Sequence, residues 1–217
     1  MKRNLLLLGS VAAIAAPLLG GCVLFPAAMV GGAVTTATIM TDRRTAGTIV
    51  SDEVVEKRVS YEINQTLGDN RGHITVTSYE GRVLLTGEVP TMDDRRRAQQ
   101  IASLSQDVVS VVNELAVMDN SSVTTRLSDS MLATKVRTAI IGTKQISLNQ
   151  MKVAVDRGIV YLMGVVSPDE AKTAARVAAE VSGVQKVVTC FTVVTPEEIA
   201  RRLKDLQTTD PYAKKTE

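Results

Sequence analysis

The chain has 217 residues, with 25 Lys and Arg against 23 Asp and Glu, a formal charge of +2. It contains one histidine, two cysteines and no tryptophan. A globally basic surface for nucleic acid is therefore absent, a disulfide framework is ruled out, and a zinc site or Cys-His nucleophile has almost no ligands to draw on.

The N-terminus carries Lys2 and Arg3, then an apolar stretch from Leu5 to Ile14. Pro17, Gly20 and Gly21 break that stretch well before the ~20 residues a membrane-spanning helix needs. A short basic region, an apolar core and small residues are the order of parts in a secretory signal. Leu19-Gly20-Gly21-Cys22 resembles the lipobox of bacterial lipoproteins. That resemblance implies a signal peptide over residues 1–21 and acylation (palmitate among the chains) at Cys22. Val23, where Asp would direct retention at the inner membrane, implies by the same resemblance the periplasmic face of the outer membrane. The charge excess resides in Lys2 and Arg3 and leaves with the signal. Residues 22–50 read as a lipidated tether, small and apolar over 23–40, then irregular around Asp42-Arg43-Arg44. A second membrane segment over 23–40 is the alternative.

The remainder repeats itself. With a shift of 77, Ser51-Asp52 falls on Ser128-Asp129, Val55-Val59-Ile63 on Leu132-Val136-Ile140, and the run from Gly81 to Val89 on that from Gly158 to Val166. One extra residue in the first copy then brings Val108–Val112 onto Val184–Val188. Each copy reads helix, strand, strand, helix, strand. Apolar residues spaced by fours give the first helix one core face. Alternation about Glu80-Gly81 and about Arg157-Gly158 predicts two hairpins with glycine at the tip. Ser167-Pro168-Asp169-Glu170 predicts a capped helix start with a capping box, and Val108–Val117 and Val184–Val193 predict the closing strands. Thr195-Pro196-Glu197-Glu198 starts a short last helix with Ile199, Leu203 and Leu206 on one side. The expected architecture is α+β. Residues 51–118 form domain 1, 119–127 a linker, 128–195 domain 2, and 196–217 the C-terminal helix and a tail. Domains this small are marginal alone, so packing of one copy on the other is expected to help.

The strongest local patterns are Thr134-Lys135-Val136-Arg137, Val160-Tyr161-Leu162-Met163-Gly164, Glu170-Ala171-Lys172 and Val181-Ser182-Gly183-Val184. With the element order and the lipobox, they make the chain resemble the dual BON-domain outer-membrane lipoprotein family, the DolP-like proteins. Each domain is then expected as a three-stranded sheet packed on two helices. The resemblance implies binding of anionic phospholipid through the second domain, and a role in outer-membrane integrity, including at division sites.

No catalytic, metal or cofactor set is found, and an enzyme is not expected. His73 reads as a strand-edge residue and Cys190 as a small packed one. Asp93-Asp94 opens a helix and complements its dipole, and Arg95-Arg96-Arg97 reads as a solvated face. The two copies differ in charge: residues 51–118 hold 7 basic and 11 acidic side chains, residues 126–195 hold 9 and 5. A net-positive domain on a membrane tether is drawn to anionic headgroups, at about 1 kcal/mol per Lys or Arg. On the first helix of copy two, Met131, Lys135, Thr138 and Gly142 share a face beside the core stripe, with Arg126, Arg137 and Lys144 near. Met131, Lys135, Thr138, Arg137 and Lys144 are the expected contacts with phosphatidylglycerol or cardiolipin. Met131 stands where the family carries an aromatic, which implies shallower insertion. The competing expectation packs Met131 against copy one and leaves the charges solvated. An adaptor that binds envelope proteins, such as outer-membrane assembly factors, is the alternative function.

Overall fold

The computed structural model describes residues 42–68, 72–143, 146 and 148–209. The chain is α+β, two repeats with one order of elements. Domain 1 runs α1 (Ala46–Leu67), β1 (His73–Tyr79), β2 (Arg82–Val89), α2 (Met92–Leu104), β3 (Ser110–Asn113) and β4 (Ala116–Val117). Domain 2 runs α3 (Val123–Gly142), a short 3-10 turn (Leu148–Gln150), β5 (Met151–Asp156), β6 (Ile159–Val166), α4 (Pro168–Ala179) and β7 (Lys186–Val193). The last helix, α5, spans Pro196–Thr209.

Two helix starts lie upstream of the expected ones. α1 begins inside the expected lead-in, because Thr45 caps it and accepts the Thr48 N–H at 3.0 Å. α3 begins inside the expected linker, capped by Ser122 through the Thr125 N–H at 3.1 Å. Both caps are short hydroxyl side chains that satisfy a donor the first helical turn leaves unpaired. The capping box at Ser167 and Glu170 forms as the sequence predicts.

In each domain the central strand pairs antiparallel with the hairpin strand before it and parallel with the closing strand. The β1–β2 tip places Glu80 at φ 51° and Gly81 at φ 71°, and Arg157-Gly158 repeats this at 50° and 72°. Two consecutive left-handed residues are what a two-residue hairpin of matching twist requires. The closing strand of domain 1 differs from the expected continuous run: β3 and β4 lie on the same edge of β2, split at Glu114-Leu115. Asn113 makes the break, since its Oδ1 accepts the Leu115 N–H at 3.2 Å while its amide donates to the Arg95 carbonyl at 3.0 Å. Leu115 thereby turns into the core.

One face of each sheet holds the domain's own core. Val55, Val59 and Ile63 of α1 meet Val83, Leu85 and Val89, and Leu132, Val136 and Ile140 of α3 meet Val160, Leu162 and Val166. The other faces meet each other. Tyr79 and Leu84 pack with Tyr161, Met163, Val165 and Cys190. The two domains therefore join sheet to sheet, with helices as the two outer layers. Burying 2 aromatic rings and their aliphatic neighbours supplies the mutual support that domains of this size need.

Polar contacts fix the register of that join. Lys152 pairs with Glu56 at 2.7 Å, the Gly87 N–H donates to Asp156 at 3.3 Å, and Arg202 of α5 pairs with Glu80 at 2.7 Å. A Cβ at Gly87 would run into the His73 carbonyl of the paired strand β1, so the φ 112° backbone at this point depends on glycine. The segment expected to be irregular acts as a clamp. Arg43 is buried and donates to the Val165 carbonyl at 2.7 Å and to both carboxylate oxygens of Glu170, at 2.7 and 2.8 Å. Arg44 pairs with Asp52 at 3.0 Å and lies over the Tyr79 ring at 4.1 Å. Adjacent arginines at the end of the tether thus hold one domain each. Among the described residues, no helix is long and apolar enough to cross a membrane.

Candidate functional site

Two buried carboxylates organise the repeat and were not singled out from sequence. Asp52 accepts from the Glu80 N–H (2.9 Å), the Gly81 N–H (3.0 Å), the Ser78 hydroxyl (2.7 Å) and Arg44. Burial pushes its carboxyl up, but the Gly81 N–H, the Ser78 hydroxyl and the other donors outweigh that and hold it below the usual range. Asp129, its repeat partner, accepts the Arg157 and Gly158 N–H groups at 2.8 and 2.9 Å. Each aspartate ties a first helix to a hairpin tip. The signal was the Ser-Asp pair that registers the two copies.

The expected lipid-facing residues are partly brought together. Met131 and Lys135 are exposed on α3, on the side away from the core stripe and from domain 1. Met131 does not pack against the first domain; it is 66% exposed. Thr138 is exposed beside them, with its hydroxyl spent on the Thr134 carbonyl at 3.0 Å. Arg137 turns away and donates to the Val153 carbonyl at 2.7 Å, which ties α3 to β5. Lys144 and Cys22 lie outside the described residues.

Sequence reading missed most of the apolar stripe. Val123 (64%), Leu127 (61%) and Ile141 (56%) are exposed with Met131, and at 100° per residue the four fall on one face of α3. The spacing of 123, 127 and 131 by fours is present in the sequence, but positions 123 and 127 fall in the expected linker. The sole acidic residue of α3, Asp129, is buried under the hairpin tip. The outer face is thus apolar, hydroxylated and cationic, with no exposed carboxylate of its own.

The remaining expectations for single residues resolve structurally. His73 opens β1, half-buried. Cys190 is buried in the layer between the sheets, where burial and the Glu114 charge push its thiol up. Arg96 and Arg97 pair with Asp93 at 3.3 and 2.7 Å, and Arg95 donates to the Asn113 carbonyl at 3.0 Å. Among the described residues no group of His, Cys, Asp and Glu is placed to hold a metal.

Two small α+β domains in tandem, joined sheet to sheet with helices outside, define a class of duplicated α+β repeat proteins. Residues 51–119 and 128–195 match the BON domain. The chain is 35% identical to the outer membrane lipoprotein DolP of Haemophilus influenzae over 88% of its own length and 95% of that protein's. It is 34% identical to the 21 kDa hemolysin of Actinobacillus pleuropneumoniae over 68% of this chain and 76% of that one. The chain belongs to the dual BON-domain lipoprotein family of which DolP is a member. The structural protein CdsD of the Chlamydia trachomatis type III secretion system aligns over 71% of this chain and 99% of its own, at 13% identity and a TM-score of 0.26, too loose a likeness to bear on function.

Proposed function

We propose that this chain is a non-enzymatic lipoprotein of the outer membrane, held by acyl chains on Cys22, whose second domain docks on anionic phospholipid and which thereby supports envelope integrity. The observation that carries the reading is the outer face of α3. Four exposed aliphatic side chains lie in line with Lys135 beside them and no competing carboxylate. Transfer of such side chains into the headgroup boundary contributes about 25 cal/mol per Å² of apolar surface removed from water. A lysine meeting lipid phosphate adds about 1 kcal/mol. Phosphatidylglycerol and cardiolipin fit as ligands, and the lipoprotein anchor fits the name of the Haemophilus relative.

Liposome co-sedimentation tests this, with the chain from residue 22 carrying Cys22→Ser so that no acyl chain contributes. Binding to vesicles containing phosphatidylglycerol is expected, and Lys135→Glu and Met131→Glu are each expected to weaken it. Indifference of the unaltered protein to anionic vesicles, or wild-type binding by both variants, rejects the docking face.

A second reading, a protein-binding adaptor, is favoured by one observation. α1 presents Val50, Val54 and Tyr61 on the opposite outer layer, 60%, 45% and 65% exposed. When α3 faces a bilayer, that stripe points away from it. Crosslinking of envelope proteins to Tyr61-proximal positions, with little affinity for bare lipid, is the outcome this reading expects.

A further inference from the structure

The repeat treats the outer edge of its closing strand differently in the two copies. Among the described residues, no strand lies beyond β3–β4 or beyond β7. In domain 1 the Glu114 and Met118 N–H groups donate to β2, at the Leu85 and Val89 carbonyls. Backbone groups alternate in direction along a strand, so Asn113 and Leu115 turn theirs outward. Domain 1 covers them. Arg95 donates to the Asn113 carbonyl at 3.0 Å, the Asn113 Oδ1 accepts the Leu115 N–H at 3.2 Å, and the Asn113 amide also donates to Gln99 at 3.1 Å. A side-chain network thus fills the space between α2 and the strand, which blunts the edge against pairing with another chain.

Domain 2 lacks that cover. Thr91 and Ser167 cap the second helix of each copy, so this part of the repeat has a shift of 76. Arg95, Gln99 and Asn113 then fall on Ala171, Ala175 and Thr189. The Val194 N–H donates to the Val166 carbonyl, so Val193, Phe191, Thr189 and Val187 turn their backbone groups outward. Alanine has no side-chain donor, Thr189 is exposed, and among the described residues no side chain bonds this edge. β7 runs 8 residues without proline, against 4 and 2 for β3 and β4. Its one charged residue is Lys186. Lys186 and Lys172 of α4 are exposed, and among the described residues neither has an ion-pair partner. Arg176 nearby is offset by Glu180 at 3.0 Å.

We propose that the β7 edge and the space over Ala171 and Ala175 form a docking groove for an extended acidic segment of a partner protein, taken up by strand addition. Backbone N–H and C=O groups of the segment pair with those of Val187, Thr189 and Phe191. Its side chains on the α4 side lie over the two alanines, where domain 1 keeps Arg95 and Gln99. Its carboxylates meet Lys172 and Lys186, on a half of the chain, residues 126–195, that holds 9 basic and 5 acidic side chains. The same charge disfavours a second copy of this chain as occupant, since two cationic edges would be brought together. The groove is built from α4 and β7 and takes no residue from α3, so it stands independently of docking on lipid.

The test uses the chain from residue 22 with Cys22→Ser and three synthetic heptapeptides: EVTITVE, its basic counterpart KVTITVK, and EVTPTVE, whose proline removes a ladder N–H. EVTITVE is expected to shift the amide signals of Val187, Thr189 and Phe191 and to slow their hydrogen exchange. EVTPTVE is expected to bind about tenfold more weakly and KVTITVK about threefold more weakly. Lys186→Glu should reverse the order of the two charged peptides. Transplanting the cover of domain 1, as Ala171→Arg with Ala175→Gln and Thr189→Asn, is expected to abolish binding. The opposite exchange, Arg95→Ala with Gln99→Ala and Asn113→Thr, leaves domain 2 unaltered and is expected to open the β3–β4 edge, with new shifts at Val111 and Leu115. No shift along β7 at millimolar EVTITVE, or shifts that persist in the transplanted variant, overturns the groove. Equal binding of the acidic and basic peptides overturns the acidic partner. Signals of β7 that move with protein concentration in the absence of peptide make a second copy the occupant and overturn the proposal.

Discussion

Domain 1 and domain 2 share elements, hairpin tips and a buried aspartate, yet they are tied down differently. Asp52 gathers Ser78 and Arg44 in addition to two backbone N–H groups, whereas among the described residues Asp129 holds the two tip N–H groups alone. Arg58 is spent on Asp107 while Lys135 projects without a partner among the described residues. Domain 1 pairs Arg58 with Asp107, sends Glu56 and Glu80 to cations of the second half, and receives the clamp from the tether. Domain 2 leaves its cation and its apolar stripe outward. Duplication of a fold therefore left the equivalent cation paired in one copy and, among the described residues, without an ion-pair partner in the other, and a handful of positions suffices for the difference.

The largest expected effect tests the aspartates against each other. Asp52→Ala strands a buried guanidinium, a hydroxyl and two N–H groups and should cost about 3–4 kcal/mol. Asp129→Ala strands two N–H groups and should cost about 2 kcal/mol. Urea unfolding of the two variants measures both, and equal losses would mean that Arg44 adds nothing to domain 1. Next comes the contrast between the outer helices. Leu127→Ser with Met131→Ser should lower partitioning into anionic vesicles by about tenfold or more, while Val54→Ser with Tyr61→Ser should leave it unchanged. A loss on the α1 side of similar size would mean that the protein does not orient as described.

The smallest effect lies in the titration of the join between domains. Burial pushes the Glu170 carboxyl up, but Arg43 and the Ser167 N–H outweigh it and hold the group below the usual range. Its stabilisation is present above the unfolded-state value and lost as pH falls through the depressed folded value. Asp156 shows the opposite direction. Burial raises it, Arg157 only partly offsets this, and Glu88 raises it further. The contribution of Asp156 is present at low pH and is lost as pH rises through its raised folded value. Carboxyl carbon shifts followed by NMR should place Glu170 below and Asp156 above their ordinary values. The reverse order would contradict the buried geometry of the two ends of the join.

Much of the fold was legible in the sequence because it repeats. Val55-Val59-Ile63 and Leu132-Val136-Ile140 announce helix faces, and Glu80-Gly81 and Arg157-Gly158 announce hairpins. The helix starts were less legible. Thr45 and Ser122 look like loop residues until the helix they cap is known, and the expected linker over 119–127 separated Val123 and Leu127 from the face that contains Met131. The Arg43 clamp was not readable, because its partners lie 122 and 127 residues away.

The sequence by itself determined the lipobox resemblance, the repeat, the order of elements and the opposite charges of the two halves, since these are local patterns of spacing and composition. Only the tertiary structure decided that the sheets meet face to face. The run Val160-Tyr161-Leu162-Met163 shows a strand apolar on both sides, but an apolar face does not name what covers it. Once the sheets are paired, the helices become the outer layers, and the direction in which Met131 and Lys135 point follows from that packing.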